Sequence, residues 1–100
     1  MRRGASHDPF DPLSGPIADT LDLHGMRAAE ALGAVTAFLR RSRRRTPGAL
    51  VHIVTGKGRG SAGMPVLKTR VRTLLRDAEL PIADFAEDLD GGGYLVRLHP

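Results

Sequence analysis

The chain has 100 residues, which suits one compact domain and is too short for two independent hydrophobic cores. It contains no cysteine, which excludes disulfides, thiolate zinc sites and cysteine nucleophiles. The formal net charge of +4 favours a polyanionic partner, whereas an aromatic content of 4% argues against proteins that stack single-stranded bases on aromatic platforms.

The first 18 residues predict a leader that is either flexible or packed on the surface, followed by a single domain over residues 19–100. The leader is rich in proline, glycine and short polar residues, and Phe10, Leu13 and Ile17 could pin it onto the core. No apolar segment follows the N-terminal arginines, and no apolar run approaches the roughly 18 residues of a membrane-spanning helix. We therefore expect a cytoplasmic protein without a membrane partner, and a monomer rather than an obligate oligomer.

The first half of the domain predicts a strand followed by a helix. Residues 20–24 alternate between polar and apolar types and end at Gly25, as in a short strand that enters a turn. From Arg27 the spacing becomes helical, and Pro47 with Gly48 predicts the end of the helix. The predicted apolar face consists of Ala28, Leu32, Val35 and Leu39, with Ala31 and Phe38 beside it, and the C-terminal end carries Arg40, Arg41, Arg43, Arg44 and Arg45.

The second half predicts a strand, a helix and two further strands. Residues 50–54 are mostly apolar, as in a strand covered on both faces, and residues 55–63 form a glycine-rich loop. Pro65 suits the first position of a second helix, and residues 82–89 and 94–98 predict the last two strands. The apolar stripe of the second helix is Leu67, Val71, Leu74 and Ala78. This order predicts a two-layer α/β sandwich, βαβαββ, with a mixed four-stranded sheet and both helices packed on one face.

The loop after the first strand carries groups that could transfer a proton. In open α/β sheets ligands bind where loops leave the carboxyl ends of strands, and we expect the first two strands to be parallel neighbours. Asp22 and His24 lie two apart on the predicted strand, so that both side chains leave the same face. An imidazole with an ordinary pKa of about 6.5 can accept or donate a proton, and a nearby carboxylate can fix its tautomer. The alternative is structural, because an Asp at a strand end often accepts backbone amides and a His before glycine is often a turn residue.

The glycine-rich loop after the second strand suits a phosphate. Gly56, Gly58 and Gly60 would let the backbone approach a ligand closely, with amides free to form an anion-binding nest, and Lys57 and Arg59 add positive charge. The spacing is neither that of a Walker loop nor that of a dinucleotide fingerprint. The alternative is a flexible surface loop.

The remaining charged and titratable residues give weaker signals. Arg40, Arg41 and Arg44 could contact a nucleic-acid backbone, although charges at a helix end more often form a solvated cap. His52 alternates with apolar neighbours and is predicted to be structural. The histidines have no repeated spacing, so that no metal site and no cofactor is predicted. RNA carries its own nucleophile, the 2′-hydroxyl, so that its cleavage requires only a base and charge stabilisation and can proceed without a metal.

Taken together, the two loops resemble the signature motifs of the Smr (small MutS-related) domain. Residues 21–25 read LDLHG, and residues 55–58 read TGKG, which resembles the family's second motif of Thr or His followed by GxG. An Ala/Glu-rich helix follows the first motif, residues 66–68 resemble a Val/Leu-Leu-Arg segment of the family, and the glycine-rich turn at residues 91–93 precedes an apolar strand. The resemblance covers roughly residues 19–100.

The resemblance implies a βαβαββ fold similar to the C-terminal domain of bacterial translation initiation factor three, and a nuclease that nicks DNA or cleaves RNA, including messenger RNA on stalled ribosomes. It maps Asp22 and His24 to the residues implicated in cleavage and the glycine-rich loop to binding and activity. Many members have histidine where this chain has Thr55. The predicted nucleic-acid or phosphate contacts are Gly25, Thr55, Gly56, Lys57, Gly58, Arg59, Gly60 and Lys68.

The sequence therefore predicts an endonuclease that binds RNA or DNA and cleaves RNA phosphodiester bonds by general acid/base catalysis, with the ribosome as a further candidate partner. Three alternatives stay open at this point. The chain could be a non-catalytic module that binds nucleic acid or the ribosome, a DNA-nicking nuclease, or a structural adaptor whose motifs are relics.

Overall fold

The computed structural model describes residues 11–56 and 64–100. The elements follow the order βαβαββ, which confirms the predicted α/β class with a mixed four-stranded sheet and two helices. In chain order they are β1 (Asp19–Asp22), α1 (Ala28–Arg45), β2 (Leu50–Val54), α2 (Met64–Leu75), β3 (Ile82–Glu87) and β4 (Gly93–Leu98). None of the helices in the described part of the chain is both long and apolar enough to span a membrane.

The strands form one sheet in the order β1-β2-β4-β3. β1 and β2 are parallel neighbours, as predicted, whereas β4 pairs antiparallel with both β2 and β3. A parallel pair needs a crossover, and α1 supplies it. The carboxyl ends of β1 and β2 therefore lie together at one edge of the sheet, and the N-terminal end of α1 lies at that edge too.

One face of the sheet is covered by both helices, as predicted. The main core joins α1 and α2 to the inward residues of the strands, including Val51, Ile53, Val96 and Leu98, all of which are buried. The Tyr94 hydroxyl fastens α2 to β4, because it donates to the Lys68 carbonyl at 3.1 Å and accepts from Arg72 Nε at 3.4 Å. The second hydrogen bond raises the pKa of Arg72 above its ordinary value.

The buried stripes of the helices differ in detail from the predicted ones. In α1 the buried residues are Ala31, Val35, Phe38, Leu39 and Ser42, whereas Ala28 and Leu32 are half-buried. In α2, Leu75 is buried in place of Leu74, and Ala78 lies exposed beyond the end of the helix. The helix ends early because the Arg76 and Asp77 amides donate to carbonyls three residues back, which tightens the last turn.

The opposite face, called the open face below, is partly covered by residues 11–18. Leu13 is buried against Leu50 and Leu95, and the Ala18 amide donates to the Leu50 carbonyl at 2.8 Å. The Arg97 guanidinium donates to the carbonyls of Pro12, Ser14 and Gly48, which ties this segment to the sheet. On the open face β2 is buried at Leu50 but only half-buried at His52 and Val54, so that the predicted cover on both faces is partial. Ile17 is exposed, and Phe10 lies outside the described residues.

Candidate nucleic-acid interface

The two predicted loops leave the sheet side by side. Asp22 pairs with Val54 at the ends of β1 and β2, and the Leu23 amide continues the ladder by donating to the Val54 carbonyl at 2.8 Å. The turn after β1 (residues 22–25, the DLHG turn) therefore adjoins the start of the glycine loop (residues 55–63). This adjacency is the geometric condition for a ligand that contacts both loops.

The DLHG turn differs from the predicted strand end, because β1 stops at Asp22 and His24 lies in a turn. The prediction that Asp22 and His24 project from one strand face is therefore wrong. Asp22 Oδ1 accepts the backbone N–H of His24 at 2.9 Å, which bends the chain in an Asx-type turn. Gly25 has a φ of +84°, a conformation that L side chains rarely adopt.

The two polar side chains of this turn are exposed, whereas the intervening Leu23 is fully buried in the main core. Within the described residues, the His24 imidazole makes no hydrogen bond, and the Asp22 carboxylate holds the backbone of His24 rather than its ring. Leu23 anchors the turn from below. The result is an exposed imidazole on a backbone that is fixed at both ends.

The glycine loop begins on a buried base. Thr55 is fully buried, and its hydroxyl donates to the Gly92 carbonyl at 3.3 Å. The amides of Thr55 and Gly56 also donate to that carbonyl, at 2.9 and 3.0 Å, so that they are occupied rather than free for an anion. Of the predicted contacts in this loop, Lys57, Gly58, Arg59 and Gly60 lie outside the described residues.

A third loop (residues 88–92) completes this edge of the sheet, and the sequence predicts only the turn at its glycines. Asp88 Oδ1 accepts the Gly92 amide at 3.0 Å, and Asp90 Oδ1 accepts the same amide at 3.1 Å. The Gly92 carbonyl then holds the base of the glycine loop, as described above. The signal in the sequence is the run Asp-Leu-Asp before three glycines, a pattern typical of a turn closed by its own carboxylates.

Asp88 also reaches across the open face to His52. Its Oδ2 atom lies 2.8 Å from His52 Nε2, and the His52 and Asp88 side chains are 24% and 12% exposed. The apolar neighbours of His52 predict a structural role for it, and they give no sign of its partner. In the structure His52 pairs with a carboxylate 36 residues away in the chain.

Lys68 lies next to the third loop, but its charge is already engaged. Its Nζ atom donates to the Gly91 carbonyl at 2.7 Å and pairs with the Glu87 carboxylate. The predicted phosphate contact is thus at the expected edge of the sheet. In this geometry its amine binds the third loop to α2.

The arginines of α1 are not brought to this edge. α1 starts beside the DLHG turn and runs away from it, and at about 1.5 Å per residue Arg40 lies about 18 Å along the helix from Ala28. Arg40 and Arg44, with Arg43 and His99, line a separate cleft at the far end. Arg41 is exposed nearby, and the structure therefore separates Arg40, Arg41 and Arg44 from Asp22 and His24.

Metal ligands are not clustered in the described parts of the chain. Over residues 11–56 and 64–100, no group of three or more His, Asp or Glu side chains is placed to hold a metal ion. The chemistry that these residues themselves offer at the edge is that of one exposed imidazole beside a glycine loop. An exposed imidazole can exchange a proton with a ligand that comes within hydrogen-bonding distance of the ring.

Comparison with known proteins identifies the pattern that these loops form. A family model for the Smr domain matches residues 21–93, which is most of the chain and includes all three loops. No curated protein matches the chain. The match begins within β1, just before the DLHG turn, and ends at Gly93, the first residue of β4.

Proposed function

Because the chain belongs to the Smr family, which is associated with nucleic-acid binding and endonuclease activity, we propose that it is an endonuclease that cleaves RNA. The observation that carries this proposal is the exposed His24 imidazole beside the start of the glycine loop, with the Leu23–Val54 hydrogen bond joining the two segments. A phosphodiester bound at the glycine loop would lie within reach of the imidazole.

His24 is the proton-transfer group in this proposal. As a base it takes the proton of the 2′-hydroxyl while the 2′ oxygen attacks phosphorus and the bond from phosphorus to the 5′ oxygen breaks. The 5′ oxygen leaves with a proton from water or from the imidazolium, and a 2′,3′-cyclic phosphate remains. The nucleophile belongs to the substrate, and the protein contributes positioning, proton transfer and charge stabilisation.

The other residues of the edge position this chemistry. Asp22 fixes the backbone of His24, and Gly25 allows the turn that exposes the ring. Lys57 and Arg59 supply the positive charge that the pentavalent transition state requires. Thr55 and Gly56 hold the glycine loop against the third loop, and Lys68 holds the third loop against α2.

A second candidate is a module that binds nucleic acid or the ribosome without cutting it. It is favoured by the hydrogen bond from the His24 amide to Asp22, because this carboxylate serves the fold of the turn and not the imidazole. Binding would then depend on phosphate contacts and would weaken steeply with salt. A DNA-nicking nuclease would use the same edge without a 2′-hydroxyl.

A cleavage assay separates these candidates. Wild type, His24→Ala and the control His99→Ala, an exposed histidine outside this edge, are incubated with labelled RNA and DNA, with and without chelator, and binding is measured in parallel. We expect His24→Ala to bind RNA but not to cleave it, and His99→Ala to behave as wild type. Undiminished cleavage by His24→Ala rejects the catalytic assignment, binding without any cleavage supports the module, and equal cutting of DNA excludes a required 2′-hydroxyl.

We also propose that residues 19–100 form the nucleic-acid-binding domain and that residues 1–18 are its leader. Within the described part of the leader, Leu13 and the carbonyls held by Arg97 are already part of the packed structure. The leader therefore contributes to the stability of the open face, and its removal should destabilise the domain rather than leave it unchanged.

A further inference from the structure

The open face carries a cavity that the proposed cleavage chemistry does not use. The cavity has a volume of about 350 Å³, within the range of about 300–1,000 Å³ that is usual for small-molecule sites. Leu13, Ile17, Leu50 and Leu95 form most of its walls, and Leu89 of the third loop lies at its rim. Its polar side is the His52–Asp88 pair.

Apolar side chains at the rim of this cavity are exposed to water, which is unfavourable in free energy. Among the described residues, three large hydrophobic side chains are exposed, and two of them, Ile17 and Leu89, line this cavity. They are 46% and 39% exposed. A ligand bound in this cavity would cover both side chains and remove their apolar surface from water.

The cavity lies next to the edge that carries His24 and the glycine loop. Leu21 and Leu23 pack into the main core, so that Thr20 and Asp22 face the open side of β1 by strand alternation. Thr20 is paired with His52, so that both side chains lie on the open face. His52 lies two residues, or about 7 Å, before the end of β2 at Val54. The third loop joins both regions, because it supplies Asp88 and Leu89 to the cavity and the Gly92 carbonyl to the glycine loop.

The chemistry of the cavity selects a base and not a phosphate. Lysine and arginine are absent from the described lining, and the carboxylates of Asp88 and Asp90 would repel an anion. Carboxylate oxygens accept hydrogen bonds from the ring N–H and amino groups of nucleobases, and apolar side chains can pack against the faces of an unstacked base. Both Asp88 oxygens already have one partner, and a carboxylate offers about four acceptor positions.

We propose that this cavity binds one unstacked nucleobase of the nucleic acid whose phosphate is held at the glycine loop. The proposal rests on the proposed function for the identity of the polymer. His52 and Asp88 bind the polar edge of the base, and Leu89 and Ile17 cover its faces. The distance from His52 to the end of β2 is comparable with that between the base and the phosphate of one nucleotide.

The test is an NMR titration of the full chain with each of the four ribonucleosides, which lack phosphate, and with ribose 5-phosphate, which lacks a base. We expect at least one nucleoside to shift the methyl signals of Leu50 and Leu95 and the imidazole signals of His52, and ribose 5-phosphate to leave them in place. Leu89→Ala should weaken nucleoside binding by about fivefold, because it removes part of one apolar wall. The matched control is Val66→Ala, since Val66 is exposed on α2 outside the cavity.

Several outcomes overturn the cavity proposal. One is the absence of shifts with every nucleoside, and another is equal affinity of Leu89→Ala and Val66→Ala. If Phe10→Ser shifts the cavity signals and nucleosides do not, the occupant is the chain's own leader and the proposal is wrong. Nucleosides contain no scissile bond, so that their binding is independent of cleavage. If nucleosides bind but RNA is not cleaved, only the proposed nuclease function is rejected. If RNA is cleaved but nucleosides do not bind, only the proposed nucleobase site is rejected.

Discussion

Gly93 is a position at which a single methyl group should strongly disturb this edge of the sheet. It faces Val54 across the β2–β4 ladder, directly before the buried Thr55. A Cβ at Gly93 would lie far inside contact distance of the Ile53 carbonyl oxygen and 3.0 Å from both the Ile53 carbonyl carbon and Val54 Cα. These are backbone atoms, so that no rotamer change can relieve the clash.

The expected cost follows from that geometry. Overpacking in a closed core costs about 1–3 kcal/mol, and a clash with three backbone atoms belongs at the upper end. In a domain of this size, 1 kcal/mol changes the Tm by about 4–8 °C, so that Gly93→Ala should lower the Tm by about 12–24 °C. The separation of β2 from β4 should also loosen the base of the glycine loop.

The assay is thermal and urea unfolding of Gly93→Ala beside Gly33→Ala. Gly33 lies within α1, and a Cβ there would meet nothing within 4 Å, so that the same substitution should stabilise the protein by up to about 1 kcal/mol through helix propensity. The two variants are thus expected to shift the Tm in opposite directions. A Gly93→Ala protein that melts within about 2 °C of wild type would refute the close approach of β2 and β4.

Three further substitutions test other parts of the structure. Leu13→Ala should lower the free energy of unfolding, measured in urea, by about 2 kcal/mol. This is the lower end of the range for a buried leucine, because Leu13 borders an open cavity. An unchanged free energy of unfolding would mean that the leader does not pack on the sheet. Arg97→Lys keeps the charge but loses the fork that holds three carbonyls, so that amide exchange in residues 13–18 should accelerate; unchanged exchange would contradict this tie. Lys57→Ala should reduce the slope of log binding constant against log salt concentration for RNA by about one. Lys68→Ala should leave this slope nearly unchanged, because the Lys68 amine is bound to Glu87 and Gly91. A larger change for Lys68→Ala than for Lys57→Ala would reject these roles.

The sequence was sufficient for the framework because each step rested on local periodicity. Apolar spacing predicted both helices, and the alternation of strands and helices predicted that β1 and β2 are parallel neighbours. The burial of individual residues is harder to predict, because the buried face of a helix can be shifted by one residue from the apolar face that the sequence spacing indicates. In α2, Leu75 is therefore buried, whereas Leu74 of the predicted stripe is only half-buried.

The details of the site depended on information that local patterns do not contain. The partner of Asp22 is the His24 amide, and this contact exists only because the strand stops at Asp22. The partner of His52 is Asp88, which only the order β1-β2-β4-β3 brings close. Thr55 was predicted as a ligand contact from its motif, but its burial follows from the third loop, which closes over it.

The most direct test of proton transfer by His24 uses a DNA oligonucleotide that contains a single ribonucleotide. Wild type should cleave only the bond on the 3′ side of that ribonucleotide and leave a 2′,3′-cyclic phosphate, whereas His24→Ala should bind the oligonucleotide and leave it intact. Cleavage at the deoxyribonucleotides, or equal cleavage by His24→Ala, would contradict attack by the 2′-hydroxyl with His24 as the proton-transfer group.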